Sequence, residues 1–157
     1  MTLAYDIEVY KNIFTATFVD MDKTNDKAIN DYIVADINND TVTKNDTLSQ
    51  MHKEVFVINE EVNDVFKLRD FLSLKPTLIG FNNQGYDDII LALLMDNIDT
   101  PVDLLTELLY DASNTIISYS FISRDDELYK YKYQTLFPSI DLQKLYHLKY
   151  KGLKIYH

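Results

Sequence analysis

The chain has 157 residues, 46% of them hydrophobic and 25% charged, which suits one compact domain with its own core and is short for two. Cys is absent, which excludes disulfides, thiolate zinc sites and cysteine nucleophiles and fits a reducing compartment. No apolar run reaches the roughly eighteen residues of a membrane span and no basic-then-apolar leader opens the chain, so no membrane partner is expected and the cytoplasm is the expected location. The formal net charge of −10 argues at first sight against nucleic acid, yet the charge is segregated. Residues 1–127 carry 24 acids against 9 bases, a net of −15, whereas residues 128–157 carry 6 bases and one acid, Asp141, a net of +5. The basic end also holds six of the twelve tyrosines.

In chain order, Leu3 to Val9 and Ile13 to Val19 read as two strands rich in β-branched and aromatic residues, joined closely enough for an antiparallel hairpin. Residues 20–50 are polar, interrupted by Tyr32 to Ile37 as a third strand, and Lys53 to Ile58 reads as a fourth. Asn59 suits an N-cap for a helix opening with Glu60 and Glu61, carried by Val62, Val65, Phe66 and Leu72 and stopped by Pro76. Thr77 to Phe81 has the short apolar character of a buried strand. Residues 87–96 are apolar on nearly every face, as expected of a helix buried against a sheet. Thr100, Pro101 and Asp103 provide the start of a helix over 101–111. Residues 115–123 admit either a strand or a broken continuation of that helix. Leu128 to Tyr133 alternates as an edge strand, and 139–145 is of undetermined class. The sum is one α/β domain with a sheet flanked by helices.

The chemistry lies in the acids. Asp6 and Glu8 stand two apart on the first strand, so both carboxylates share one face while Tyr5, Ile7 and Val9 point to the core. Paired carboxylates on a strand repel each other unless a cation sits between them, and oxygen-rich sites suit Mg²⁺ or Mn²⁺. A solvated edge strand explains the same spacing. Asp87 follows the polar turn Asn82-Asn83-Gln84-Gly85 at the carboxyl end of a strand, where open α/β sheets place their sites. A simple helix cap by Asp87 or Asp88 is the alternative.

The strand-borne D-x-E of Asp6 and Glu8, followed by N-x-x-x-Y-D of Asn82, Tyr86 and Asp87, resembles the first two exonuclease motifs of the DEDD superfamily. The wording YDIEVYKN, LIGFNNQGYDDIIL and SIDLQKL is similar to exonuclease regions of bacteriophage-type DNA polymerases and stand-alone phage exonucleases. The resemblance implies an RNase H-like mixed sheet flanked by helices and a metal-dependent 3′–5′ exonuclease. Its cofactors would be two Mg²⁺ or Mn²⁺ ions, and its substrate single-stranded DNA or a DNA 3′ end. It implies that Asp6 bridges the ions, that Glu8 and Asp87 complete the shell, and that Asn82 and Tyr86 help place the terminal nucleotide or support the motif from behind.

The family's third motif, H-x-x-x-D or Y-x-x-x-D on a later helix, has no counterpart after Asp141, since none of the 16 following residues is acidic. Residues 1–157 are therefore expected to form a single exonuclease-like domain without the third-motif helix, with Asp141 as the substitute metal ligand. Tyr32 and Asp36 fit Y-x-x-x-D but precede the second motif, on what reads as a strand. In the basic end, Lys144, Tyr146 and Lys149 combine cations with aromatic platforms and are candidates for nucleic-acid binding. For 129–133, an edge strand with tyrosines packed on the domain is the preferred reading. His52, His147 and His157 show no zinc spacing. Expected partners are a DNA end and a polymerase domain or replication proteins, in the host cytoplasm if the chain is phage-encoded. The alternative function is a catalytically impaired exonuclease-fold protein that binds nucleic acid, assists replication or counters host defence.

Overall fold

Alternation of apolar residues builds the sheet. In the computed structural model, which describes residues 1–118, 122–133 and 136–145, strands β1 (Thr2–Tyr10) and β2 (Ile13–Asp20) form an antiparallel hairpin. Leu3, Tyr5 and Ile7 of β1 are buried, as are Phe14, Ala16 and Phe18 of β2. Strand β3 (Lys53–Ile58) joins β2 antiparallel, β4 (Thr77–Gly80) joins β1 parallel, and β5 (Ser139–Asp141) joins β4 parallel. The order is β3-β2-β1-β4-β5, which puts β1 at the centre and leaves only β2 running against its neighbours.

Among the described residues, this sheet is accompanied by α1 (Asp26–Ile37), α2 (Thr41–Ser49), α3 (Val65–Leu72), α4 (Asp87–Asp96) and α5 (Val102–Ser118). Helix α3 sets Phe71 against Phe18 and Phe56, with ring centroids 5.3 and 5.2 Å apart, and Tyr5 stacks on Phe18 at 5.7 Å. Helix α4 buries six consecutive residues, Ile89 to Leu94, as its all-round apolar sequence requires. Each Ile and Leu among them contributes about 1.5–3 kcal/mol when fully removed from water. The result is a single α/β domain with a mixed five-stranded sheet. Among the described residues, no helix is long and apolar enough to cross a membrane.

Several elements differ from the sequence expectation, among them α2, a helix in the polar stretch where none was expected. Tyr32 to Ile37 is the second half of α1, not a strand. The Asn25 side chain accepts the Lys27 N–H at 2.8 Å, and Ala28 and Ala35, seven residues or two turns apart, give the helix its buried stripe. Tyr32 and Asp36 consequently lie one turn apart, and both engage Lys44 of α2. Asp36 pairs with its ammonium, which stands 5.2 Å from the Tyr32 ring centroid.

The helix expected at Glu60 begins instead at Val65. Asn59 Oδ1 accepts the N–H groups of Glu61 and Val62 at 2.9 and 2.7 Å, which spends the cap on a turn. Val65, Leu68 and Leu72 then supply the buried helical face.

Glu127–Tyr133 is a 3₁₀ helix rather than an edge strand. Leu128 and Tyr131 are buried three positions apart, as that helix demands, and the Tyr131 hydroxyl donates to Asp96 at 3.0 Å. Residues 115–118 continue α5, so the helical alternative holds there. Residues 142–145, of undetermined class in the sequence, are helical.

Candidate functional site

The site forms where β4 stops and β1 goes on. Pairing between these parallel strands runs only from Thr2↔Thr77 to Ala4↔Ile79. After Gly80 the chain turns away: Asn82 adopts a left-handed conformation (φ 57°, ψ 20°), Asn83–Gly85 makes one 3₁₀ turn, and α4 starts at Asp87. The turn is crowded at two glycines. A Cβ on Gly80 would stand 2.7 Å from Asn83 Cβ, and one on Gly85 would stand 2.8 Å from Asn82 Oδ1. Ile7 lies beyond the β1–β4 pairing, and its N–H is taken by Asp87 Oδ1 at 3.1 Å.

That bond sets the Asp87 carboxylate at the middle of the acidic stretch of β1. Asp6 and Glu8 flank Ile7 and are exposed on the opposite side of the strand from its buried side chain. Asp87 itself is buried. Burial pushes its carboxyl up to about 7; the Ile7 N–H opposes this, and the negative charges of Asp6 and Asp88 add to it. Burial likewise raises the Tyr86 hydroxyl, which shares a 2.7 Å hydrogen bond with Ser113 and feels the charges of Asp87 and Asp6. Among the described residues, no Lys, Arg or His forms an ion pair with Asp6, Glu8 or Asp87.

Two neighbouring carboxylates with no basic partner fit a hard divalent cation, which would supply the missing positive charge. The fit is partial. The structure brings Asp6 and Asp87 into electrostatic contact and leaves Glu8 on the same strand face, past Ile7. Among the described residues, no group of three or more His, Cys, Asp or Glu is arranged to enclose a metal ion.

Asp141, expected as a metal ligand, is engaged by main-chain donors of the turn. It is buried at the end of β5, where Oδ1 accepts the N–H groups of Asn82 and Gln143, each at 3.0 Å, and Oδ2 accepts that of Gln84 at 3.4 Å. Both oxygens are thus engaged by main chain, and the residue holds the turn that carries Asn82 to Gly85. Lys144 reaches the same turn and donates to Gln84 Oε1. Asn82 is exposed beside it. Tyr146 and Lys149 lie outside the described residues.

Sequence reasoning missed a set of polar groups behind the site. Asp88 accepts hydrogen bonds from Tyr5, Asn83 and Ser139. Burial first, and then the Asp88 carboxylate, push the Tyr5 hydroxyl far above its ordinary value. The adjacent acids Asp87 and Asp88 were the available signal, but nothing local distinguishes a carboxylate facing a ligand from one facing a tyrosine.

The chain matches no protein-family model, no curated protein and no solved structure in the comparisons made.

Proposed function

We propose that this domain is an RNase H-like, metal-dependent 3′–5′ exonuclease domain of the DEDD kind, acting on single-stranded DNA ends. The observation that carries the reading is the uncompensated Asp6–Asp87 pair at the free edge of the central strand. The mixed five-stranded sheet with helices around it agrees with the fold that this reading requires. Asp6, Glu8 and Asp87 are the residues that would hold Mg²⁺ or Mn²⁺. Two such ions, when bound, supply Lewis-acid stabilisation of the attacking and leaving oxygens of a phosphodiester. The chain's own contribution is to fix those carboxylates: the Ile7 N–H orients Asp87, and the Ser113 hydroxyl orients Tyr86. Asn82 and Tyr86 then stand at the turn where a terminal nucleotide would be placed, with Lys144 beside it. A polymerase domain or other replication proteins would be its partners.

A second reading is an exonuclease-fold protein that binds nucleic acid without efficient turnover. It is favoured by Asp141, which receives three main-chain N–H groups and anchors the turn.

Incubation with Mn²⁺ and a 5′-labelled single-stranded oligonucleotide separates the two. Stepwise shortening from the 3′ end, abolished by Asp6→Asn, supports the exonuclease. Mn²⁺-dependent binding of an uncut oligonucleotide supports the second reading, and neither binding nor cleavage overturns both.

A further inference from the structure

The carboxylate next to Asp87 in the chain faces inward rather than toward a ligand. Asp88 is partly buried, and donors from three other elements converge on it. They are the Tyr5 hydroxyl of β1, Asn83 Nδ2 of the 3₁₀ turn at 3.3 Å, and Ser139 Oγ of β5 at 2.7 Å. Asn83 Nδ2 also donates to Ser139 Oγ at 2.6 Å, so Asn83, Ser139 and Asp88 close a ring. Among the described residues no cation is part of it, and the partly buried carboxylate is held by neutral donors.

The arrangement has a cost. Asn83 is fully buried, and its Oδ1 has no hydrogen-bond partner among the described residues. A buried acceptor left unpaired is destabilising. The side chain keeps this orientation because its Nδ2 is committed to Ser139 and Asp88. Burial alone would be served as well by an apolar residue, so a polar cluster here points to a need for fixed geometry.

That geometry bears on the site directly. Asp87 takes the main-chain N–H of Ile7, and Asp88 takes the side-chain hydroxyl of Tyr5. Two successive carboxylates at the start of α4 therefore grip β1 at the two residues that flank Asp6. Through Ser139 the same carboxylate ties in β5, whose Asp141 holds the preceding turn.

We infer that Asp88 is a positioning residue of the cation site: held by Tyr5, Asn83 and Ser139, it fixes the first turn of α4 so that Asp87 is presented beside Asp6. The inference rests on the proposed cation site. Asp88 itself does not ligate; its oxygens are occupied by its three donors. Partners of this kind, one bond behind the ligands, typically change metal affinity 10–100-fold when removed.

The test is Mn²⁺ affinity, read from the spin-resonance signal of free Mn²⁺ during titration of the folded protein, with unfolding followed separately. Asp88→Asn should weaken binding tenfold or more at a temperature where the variant remains folded. Tyr5→Phe and Ser139→Ala, which each remove one donor and little volume, should weaken it by smaller factors, and Ser139→Thr should restore it. These two substitutions also decide the matter should Asp88→Asn fail to fold. Lower unfolding temperatures with unchanged Mn²⁺ affinity in all folded variants would overturn the inference while leaving the cation site intact. Binding in the unaltered protein that is indifferent to both Asp6→Asn and Asp87→Asn would remove the cation site itself, and the inference with it.

Discussion

The Asp87 carboxylate accepts the main-chain N–H of Ile7 at 3.1 Å across eighty positions of sequence. This bond substitutes for a strand partner that β4 does not provide, and it places a buried acid between two exposed ones. Replacing the acceptor and replacing the charge should therefore have different consequences. Asp87→Asn keeps an oxygen for Ile7 and removes the charge beside Asp6. Asp87→Ala leaves the N–H unpaired and should lower the unfolding free energy by about 1–3 kcal/mol relative to Asp87→Asn, as chemical denaturation would measure.

The pH dependence of stability follows from the same acid. Its carboxyl rises from an ordinary 3.8 to about 7 in the folded chain. The folded state thus holds a proton that the unfolded state has released between roughly pH 4 and 7. The stability this group contributes is present at low pH and is lost as pH rises through about 7. In the presence of a chelator, the difference in unfolding free energy between Asp87→Asn and the unaltered chain should widen from pH 4 and level off above 7. The plateau should be on the order of 2–4 kcal/mol. A difference independent of pH would contradict the burial of an acid beside Asp6.

Asp141 should behave as a turn anchor. Asp141→Asn loses the charge that receives three main-chain N–H groups and exchanges one acceptor for a donor. The expected loss is about 1–3 kcal/mol, or roughly 3–10 °C in unfolding temperature for a domain of this size. Thermal unfolding monitored by circular dichroism would reveal it.

The two glycines of the turn should differ in sensitivity. Alanine at position 80 meets the Cβ of the fully buried Asn83, which cannot retreat without disturbing Ser139 and Asp88. Alanine at position 85 meets the amide of exposed Asn82, which rotates away more readily. Gly80→Ala should cost about 1–3 kcal/mol and Gly85→Ala distinctly less, by denaturant midpoint.

The strands and the buried helix were legible because their patterns have one physical reading. Period-two alternation in β1 and β2, and an apolar run too long for a strand in α4, leave little choice. The failures arose where tertiary contacts outweighed local preference. Tyr32 to Ile37 carries β-type side chains, yet an Asn25 cap and a partner helix made it α. Leu128 to Tyr133 satisfies a period of two and a period of three alike, and a pocket for Tyr131 against α4 selects the latter. The acids of the site were visible, but their division of labour was not. Asp87 faces Asp6 while Asp88 faces Tyr5, and Asp141 faces the turn, because of where β4 ends and β5 begins.

The most direct test of the Asp6–Asp87 cation site is calorimetric titration of Mn²⁺ into the unaltered protein and into Asp6→Asn and Asp87→Asn near pH 8. Saturable binding that weakens at least tenfold in each variant is the predicted result. Binding of equal strength in all three proteins, or none in the unaltered one, would contradict it.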